Sequence, residues 1–315
     1  MAGTSQARIS ETDAAGIAEA AGILRRGGLV AIPTETVYGL AARADSDEAV
    51  AAIYRAKGRP DFNPLIVHVA NPEQAEGLAE FDEPARLLAS RFWPGSLTLV
   101  LPKRSGARLA DAVTAGLETV ALRCPAHPAM QAVLAETGLP LAAPSANLSG
   151  AVSPTSAAHV ASSLGDKVDL ILDGGACRAG IESTIVALRG GGWQMLRPGP
   201  ITRAQIADVL GAEEESSKPG SKIEAPGQLA SHYAPGKPVR LDARYAESDE
   251  FHIGFGAVAG DLNLSAAGDL AQAASRLYSA LHQAASASQP RIAVAPVPAE
   301  GIGAAINDRL QRAAA

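Results

Sequence analysis

The chain has 315 residues, 47% of them hydrophobic and 19% charged, with a net charge of −6. That length supplies core for one large domain or two, and the acidic balance weighs against a protein that wraps nucleic acid, because such binding needs Lys and Arg to neutralise phosphates. Only two cysteines occur, Cys124 and Cys177, with no CxxC spacing, which excludes a disulfide framework and a cysteine-rich zinc site and suits a reducing compartment.

Residues 1–13 are polar and lack the apolar stretch of a signal peptide. No apolar run approaches membrane-spanning length, so a soluble, cytoplasmic protein without membrane contact is expected. Ala14, Ile17, Ala18, Ala21 and Leu24 recur at helical spacing, and Gly27-Gly28 ends that helix. Residues 29–32 read as a short strand with the polar run 33–36 at its exit. Ser46 can cap a helix that runs to Lys57 and stops at Gly58. A strand at 65–69 is followed by helical patterns at 72–79 and 83–92, strands at 97–101 and 120–123, a helix at 126–137 and a strand at 139–143.

Ser153-Pro154 reads as an N-cap and first helical residue for a helix to Leu164. Strands at 169–172, 184–188 and 193–196 come next. Thr202 with Gln205 makes a capping box for a helix to Leu210. Residues 212–237 then shift to Glu, Ser, Pro, Gly and Lys and read as a linker. Beyond it lie strands at 239–241, 253–258 and 292–294, a helix at 269–285 and a last helix from 302, the pattern of a small α/β domain.

Several polar runs carry candidate chemistry, and each also has an ordinary reading. Lys57 and Arg59, with Asn63 nearby, complement a helix C-terminus. They could equally clamp phosphate as point charge and fork, since the dipole there gives an anion no help. Thr34-Glu35-Thr36 is a strand end, or hydroxyls for the carboxylate and Glu35 for the ammonium of a small zwitterion. His68 is a core imidazole or a ligand contact. Arg123 is a strand-end ion pair or a bidentate carboxylate grip. Ser145, Asn147, Ser149 and Ser153 form turns and caps, or approach phosphate and ribose. Ser183 and Arg197 mark turns, or further contacts. Neither GxGxxG nor GxxxxGKS occurs, and no HExxH or paired-His spacing points to dedicated metal ligands.

In their order and spacing, the runs 33–40, 57–68, 145–150, 183–184 and 196–199 resemble the YrdC family in its longer form with a C-terminal extension. The resemblance covers about 15–210 and continues through the run 226–235, which contains His232-Tyr233, to the tail 301–310. It implies an α/β protein: a YrdC-like twisted mixed-sheet core with a cleft over 1–211, a linker or lid over 212–237, and a small Rossmann-like α/β C-terminal domain over 238–315. A coil of the linker's length has an r.m.s. span of about 28 Å, enough to fold back over a cleft.

The resemblance also implies an activity. L-threonine, bicarbonate or CO2, and ATP give threonylcarbamoyl-AMP, pyrophosphate and water. A downstream tRNA threonylcarbamoyl transferase then modifies the adenosine beside the anticodon. Carried over by motif, Thr36, His68, Arg123, Ala143 and Ser183 hold L-threonine. Lys57, Arg59, Asn63, Thr119, Ser145, Asn147, Ser153, Arg197, His232 and Tyr233 hold ATP, with Thr119 and Ala143 resting on position alone. Lys57 and Arg59 carry the catalytic charge stabilisation, Mg2+ enters with ATP, and no general base is assigned. The alternative is a non-enzymatic double-stranded RNA or tRNA-binding module, and weak tRNA contact is compatible with either reading. Carbamoyl transfer in metal-centre maturation is disfavoured by the missing cysteine pairs.

Overall fold

The computed structural model describes residues 8–60, 63–190, 192–212 and 232–315. Most of the linker expected at 212–237 lies outside these residues. In chain order the elements are β1 (Ile9–Glu11), α1 (Ala14–Arg25), β2 (Val30–Ile32), β3 (Gly39–Arg43), α2 (Asp47–Lys57), β4 (Ile66–His68), α3 (Pro72–Glu76), α4 (Glu83–Phe92), β5 (Leu97–Pro102), α5 (Asp111–Thr114), β6 (Thr119–Arg123), α6 (Pro128–Thr137) and β7 (Leu141–Ala142). There follow α7 (Ala157–Leu164), β8 (Leu170–Asp173), β9 (Thr184–Arg189), β10 (Gly192–Arg197), α8 (Arg203–Leu210), β11 (Val239–Arg240), β12 (Glu250–Gly254), β13 (Leu262–Asn263), α9 (Leu270–Ser286), β14 (Arg291–Val294) and α10 (Gly303–Ala313).

Ten strands form one mixed sheet in the order β1-β8-β2-β3-β7-β4-β6-β5-β9-β10, and four form a second, all-parallel sheet in the order β11-β14-β12-β13. The expected twisted mixed-sheet core and small parallel α/β unit are both present. Local chemistry sets the helix ends. Ser46 accepts from Ala49 N, Asp47 and Glu48 occupy the positive end of α2, and Gly58 leaves it at φ 60 in the left-handed region. Thr202 and Gln205 form the expected reciprocal capping box.

Strand alternation decides what faces the site. On β4, β6, β5 and β9, Val67, Val120, Leu122, Leu97, Leu99, Leu101, Val186 and Leu188 point into the main core. The residues between them point to the opposite face. There Ile66, Val100, Ala121, Ile185 and Ala187 form a small apolar floor, and His68 and Arg123 continue the same alternation at the strand ends. In the small unit, α9 and α10 cover the parallel sheet through Leu277, Leu281, Ile306 and Leu310. That core runs on into the larger unit, taking in Val37, Val152 and Ile181 together with Tyr233.

Several elements differ from expectation. Ser153 does not cap α7. Its hydroxyl donates to Glu182 at 2.6 Å, while Pro154 O accepts from Tyr38 N and Thr155 O from Cys177 N, so 153–155 stays non-helical. Ser156 caps the helix by accepting from His159 N. The strand expected at 253–258 lies at 250–254, and β1, β3, α5 and β13 were not read from the sequence.

Candidate active site

A cavity of about 560 Å³, including its open mouth, lies over the apolar floor, within the size range of small-molecule sites. Its lining brings together Thr36, Arg59, His68, Arg123, Ala143, Ser145, Ser183, Arg197, His232 and Tyr233. Thr34, Val37, Gly39, Ile66, Pro144 and Glu182 complete it. Of this second group Thr34 was read from the sequence together with Glu35 and Thr36; the others were given no role, although Val37, Pro144 and Glu182 each adjoin a residue that was singled out and Gly39 lies within the run 33–40.

The run 33–37 is a hydroxyl-braced turn. Thr34 Oγ1 donates to Val37 O at 2.7 Å and accepts from the Thr36 and Val37 amides. Thr34 has only that one hydroxyl proton, so in the 2.8 Å contact between the two threonines Thr36 donates. Thr36 Oγ1 then accepts from Arg123 Nη1 at 2.9 Å. Arg123 also donates from Nη2 to Glu35 at 2.6 Å and from Nε to Gly95 O at 3.2 Å. A guanidinium carries about five N–H groups, so donors remain for a ligand.

Glu35 does not stand free to receive an ammonium, as the sequence suggested. Oε1 accepts from Arg123 and Ser96, and Oε2 from Ala126 N. Burial opposes its charge, but the Arg123 guanidinium prevails and holds the carboxyl below its ordinary range. Glu35 therefore positions Arg123. His68 lies level with Arg123 across the β4–β6 pairing. Burial and then Arg123 push its imidazole down to about 3, so it is neutral at pH 7, and its Nδ1 has no hydrogen-bond partner.

The expectation of a free phosphate clamp changes for Lys57. Its ammonium is buried and donates to Ser145 O at 2.6 Å and Asn147 O at 2.5 Å. Burial, then Arg59, lowers its pKa far below the usual lysine value. Lys57 thus staples the 145–147 loop to the end of α2. Asn147 does similar work, since Nδ2 donates to Leu148 O and Ala151 O, and it lies outside the lining. Arg59 does line the cavity and is held by Asn63 O and Pro64 O; burial lowers its pKa to about 10, which leaves it charged. Asn63 is buried beside it with Oδ1 unpartnered.

Ser183 and Arg197 are tied together, with Arg197 Nε on Ser183 O and Nη2 on Ser183 Oγ, both at 3.0 Å. Ser183 Oγ also lies 2.8 Å from Thr98 Oγ1. Ser153 is turned away from the lining to Glu182. Thr119 also lies outside the lining, at the opposite end of β6 from Arg123. By the register that pairs Ile66 with Ala121, it is level with Pro64 beside Arg59.

His232 packs edge-on against Tyr233 with ring centroids 4.2 Å apart. Burial lowers the His232 pKa to about 4. Tyr233 is buried at φ 65, a backbone region that bulky residues rarely adopt. It is held between the Tyr278 ring and the Arg309 guanidinium. Among the described residues no cluster of His, Cys, Asp and Glu forms a metal-ligand set, and no helix is long and apolar enough to cross a membrane.

Comparison with known proteins gives this geometry a lineage. The Sua5/YciO/YrdC family model, described as "Telomere recombination", matches residues 22–199. A second model, described as "Threonylcarbamoyl-AMP synthase, C-terminal domain", matches 201–315. Threonylcarbamoyl-AMP synthase of Bacillus subtilis is 50% identical over 71% of this chain and 66% of its own length. That of Pyrococcus abyssi is 40% identical over 93% and 92%. The crystal structure of P. abyssi Sua5 complexed with L-threonine superposes with a TM-score of 0.88 and 38% identity, covering 98% of this chain and 97% of that one. Escherichia coli YciO, at 24% identity and a TM-score of 0.54 over 62% of this chain, shares the fold. This chain belongs to the Sua5/YciO/YrdC family and carries the threonylcarbamoyl-AMP synthase C-terminal domain.

Proposed function

We propose that the chain makes threonylcarbamoyl-AMP from L-threonine, bicarbonate and ATP, with release of pyrophosphate and water. The carrying observation is one cavity with Thr36, His68, Arg123 and Ser183 beside the cations Arg59 and Arg197. The near full-length likeness to a threonine-bound Sua5 supports it. Arg59, Arg123 and Arg197 are all buried, which suits a small polyanion inside the protein better than an RNA duplex on its surface.

In this reading Thr36, His68, Arg123, Ala143 and Ser183 receive L-threonine, and Arg123 meets its carboxylate with the donors that Glu35 leaves over. Neutral His68 can accept a hydrogen bond from the amine without adding positive charge. Arg59, Asn63, Ser145, Arg197, His232 and Tyr233 receive the nucleotide, and Lys57 and Asn147 act through the loop they hold. Magnesium arrives as part of the nucleotide substrate. The threonine nitrogen takes up CO2 or bicarbonate to form a carbamate. A carbamate oxygen then attacks the α-phosphorus, and pyrophosphate leaves with its charge spread over Arg59 and Arg197. Catalysis is positioning and charge stabilisation, with no covalent enzyme intermediate.

The mixed anhydride is labile, so Tyr233 and the 212–237 segment protect it from water in this reading. Residues 1–211 act as the catalytic domain and 238–315 as its partner domain. The reaction takes place in the cytoplasm, where a tRNA threonylcarbamoyl transferase consumes the product. The test is pyrophosphate release from the full chain, with threonine and bicarbonate omitted in turn. Release that depends on both supports the proposal, and release indifferent to either overturns it.

A further inference from the structure

Glu182 is the one carboxylate among the described residues lining the cavity. A negative charge in that wall opposes a phosphate-bearing ligand. The structure deals with it through the small unit. Oε1 of Glu182 accepts from Ser153 Oγ at 2.6 Å, and Oε2 accepts from the Tyr278 hydroxyl at 2.7 Å and from Arg309 Nε at 3.0 Å. Ser153 belongs to the larger unit, whereas Tyr278 lies on α9 and Arg309 on α10.

Arg309 is wholly buried. Nη1 reaches Asp308, Nη2 has no hydrogen-bond partner, and the guanidinium lies 5.6 Å from the centre of the Tyr233 ring. A cation so far from water is expensive unless a carboxylate answers it. Two carboxylates answer it, Asp308 on its own helix and Glu182, and Glu182 is the one at the junction of both units and the Tyr233 segment. Burial works against the Glu182 charge, but Arg309 and then Arg197, with hydrogen bonds from Ser153 and Tyr278, pull its pKa down to about 2. The order of those two cations matters, because Arg197 also lines the cavity and is the second claimant on the Glu182 charge.

We propose that Arg309 is a positioning residue for the nucleotide: it holds and neutralises Glu182, so that the carboxylate neither repels phosphate nor captures Arg197. The proposal rests on the ATP reading of the cavity. With Arg309 in place, the wall near Arg59 and Arg197 is net positive. Without it, Glu182 turns its charge toward Arg197, which takes a cation from the phosphates and gives them an anion. Of the threonine contacts, Thr36, His68 and Arg123 belong to the 33–37 turn, β4 and β6, apart from this pair, and Ser183 alone touches Arg197, so threonine binding suffers far less than nucleotide binding. The small unit thereby gains a part in the reaction although it offers the cavity no lining residue of its own elements.

The experiment is steady-state pyrophosphate release by the full chain, with ATP and threonine varied separately. Arg309→Met raises the KM for ATP about ten-fold or more and leaves that for threonine within about two-fold. In Glu182→Gln/Arg309→Met the repelling charge is gone, and the KM for ATP returns to within about three-fold of the parent value. An equal rise in both constants, or a double variant no better than the single one, overturns the proposal. Glu182→Gln alone keeps Arg309 and covers the case in which the methionine variant does not fold. Its KM for ATP stays level or falls, and a rise beyond about two-fold overturns the idea. If the parent chain shows no threonine-dependent release, the function proposed above falls; if the parent turns over and these contrasts fail, this inference alone falls.

Discussion

Arg123 Nη2 donates to Glu35 Oε1 at 2.6 Å, and both side chains are buried. The pair fixes the plane of a guanidinium that also holds Thr36. Removing one partner of a buried pair costs about 3–5 kcal/mol, whereas an amide of the same shape keeps an acceptor and costs about 1–3 kcal/mol. Glu35→Gln is expected to lower the melting temperature and raise the KM for threonine about ten-fold, with the ATP constant little changed. Thermal melts and a threonine titration check it. An unaltered threonine constant would show that Arg123 is oriented without Glu35.

Lys57 is expected to behave as a loop staple. Lys57→Met leaves the Ser145 and Asn147 carbonyls without their donor, at a cost of about 1–3 kcal/mol for buried groups left unsatisfied. Amide exchange over 145–150 should quicken and nucleotide affinity should fall with it. Loss of nucleotide affinity with unchanged exchange would return Lys57 to a direct phosphate contact.

Acid should unfold the protein partly through Glu182. Its folded pKa of about 2 lies below the ordinary 4.5. The unfolded chain therefore takes up this proton first as pH falls. The stabilisation is complete above about pH 4.5 and vanishes toward pH 2, for a total of about 3 kcal/mol. Glu35, also lowered, works in the same direction. Urea unfolding at pH 7 and pH 3 should show a smaller loss in Glu182→Gln than in the parent; equal losses would refute it.

A second pH effect belongs to the seam between the units. His159 on α7 stacks on His282 of α9 at 3.9 Å, and His282 Nε2 lies 3.1 Å from Ser153 O. Burial, then the neighbouring ring, lowers His159 to about 4, and burial lowers His282. Folded values below 6.5 mean that the unfolded state protonates first, so stability falls between about pH 6.5 and 4. His68 and His232 push the same way. Comparison with His282→Gln isolates the seam: the variant should match the parent at pH 7 and lose less of its melting temperature at pH 5. A parallel decline in both would clear the seam of any part in it.

What the sequence disclosed was mostly local. Ser46, Gly58 and the Thr202–Gln205 box act within a few residues, so their chemistry is legible in one dimension. The strand Gly39–Arg43 is short and alanine-rich, with weak intrinsic strand preference, and exists through pairing with β2 and β7. Ser153 looks like the cap of α7, but Glu182, far along the chain, takes its hydroxyl, and the cap falls to Ser156. Lys57 stood out as a cation, but backbone carbonyls some 90 residues away took its charge. Arg309 follows Ala305 by one helical turn on the buried face of α10, and an arginine at that inward position was a signal left unread.

The register that pairs Ile9 with Ile171 sets a timetable for the newborn chain. A ribosome adding about 5–20 residues per second needs roughly 8–30 s to bridge that gap. Throughout that interval the first strand has no seat, because β8, which must separate it from β2, has not been made. The larger sheet therefore cannot assemble by simple accretion from its first strand onward. Its middle strands, from β2 through β5, can pair with one another before β8 exists, and the earliest segment docks at the rim only after it.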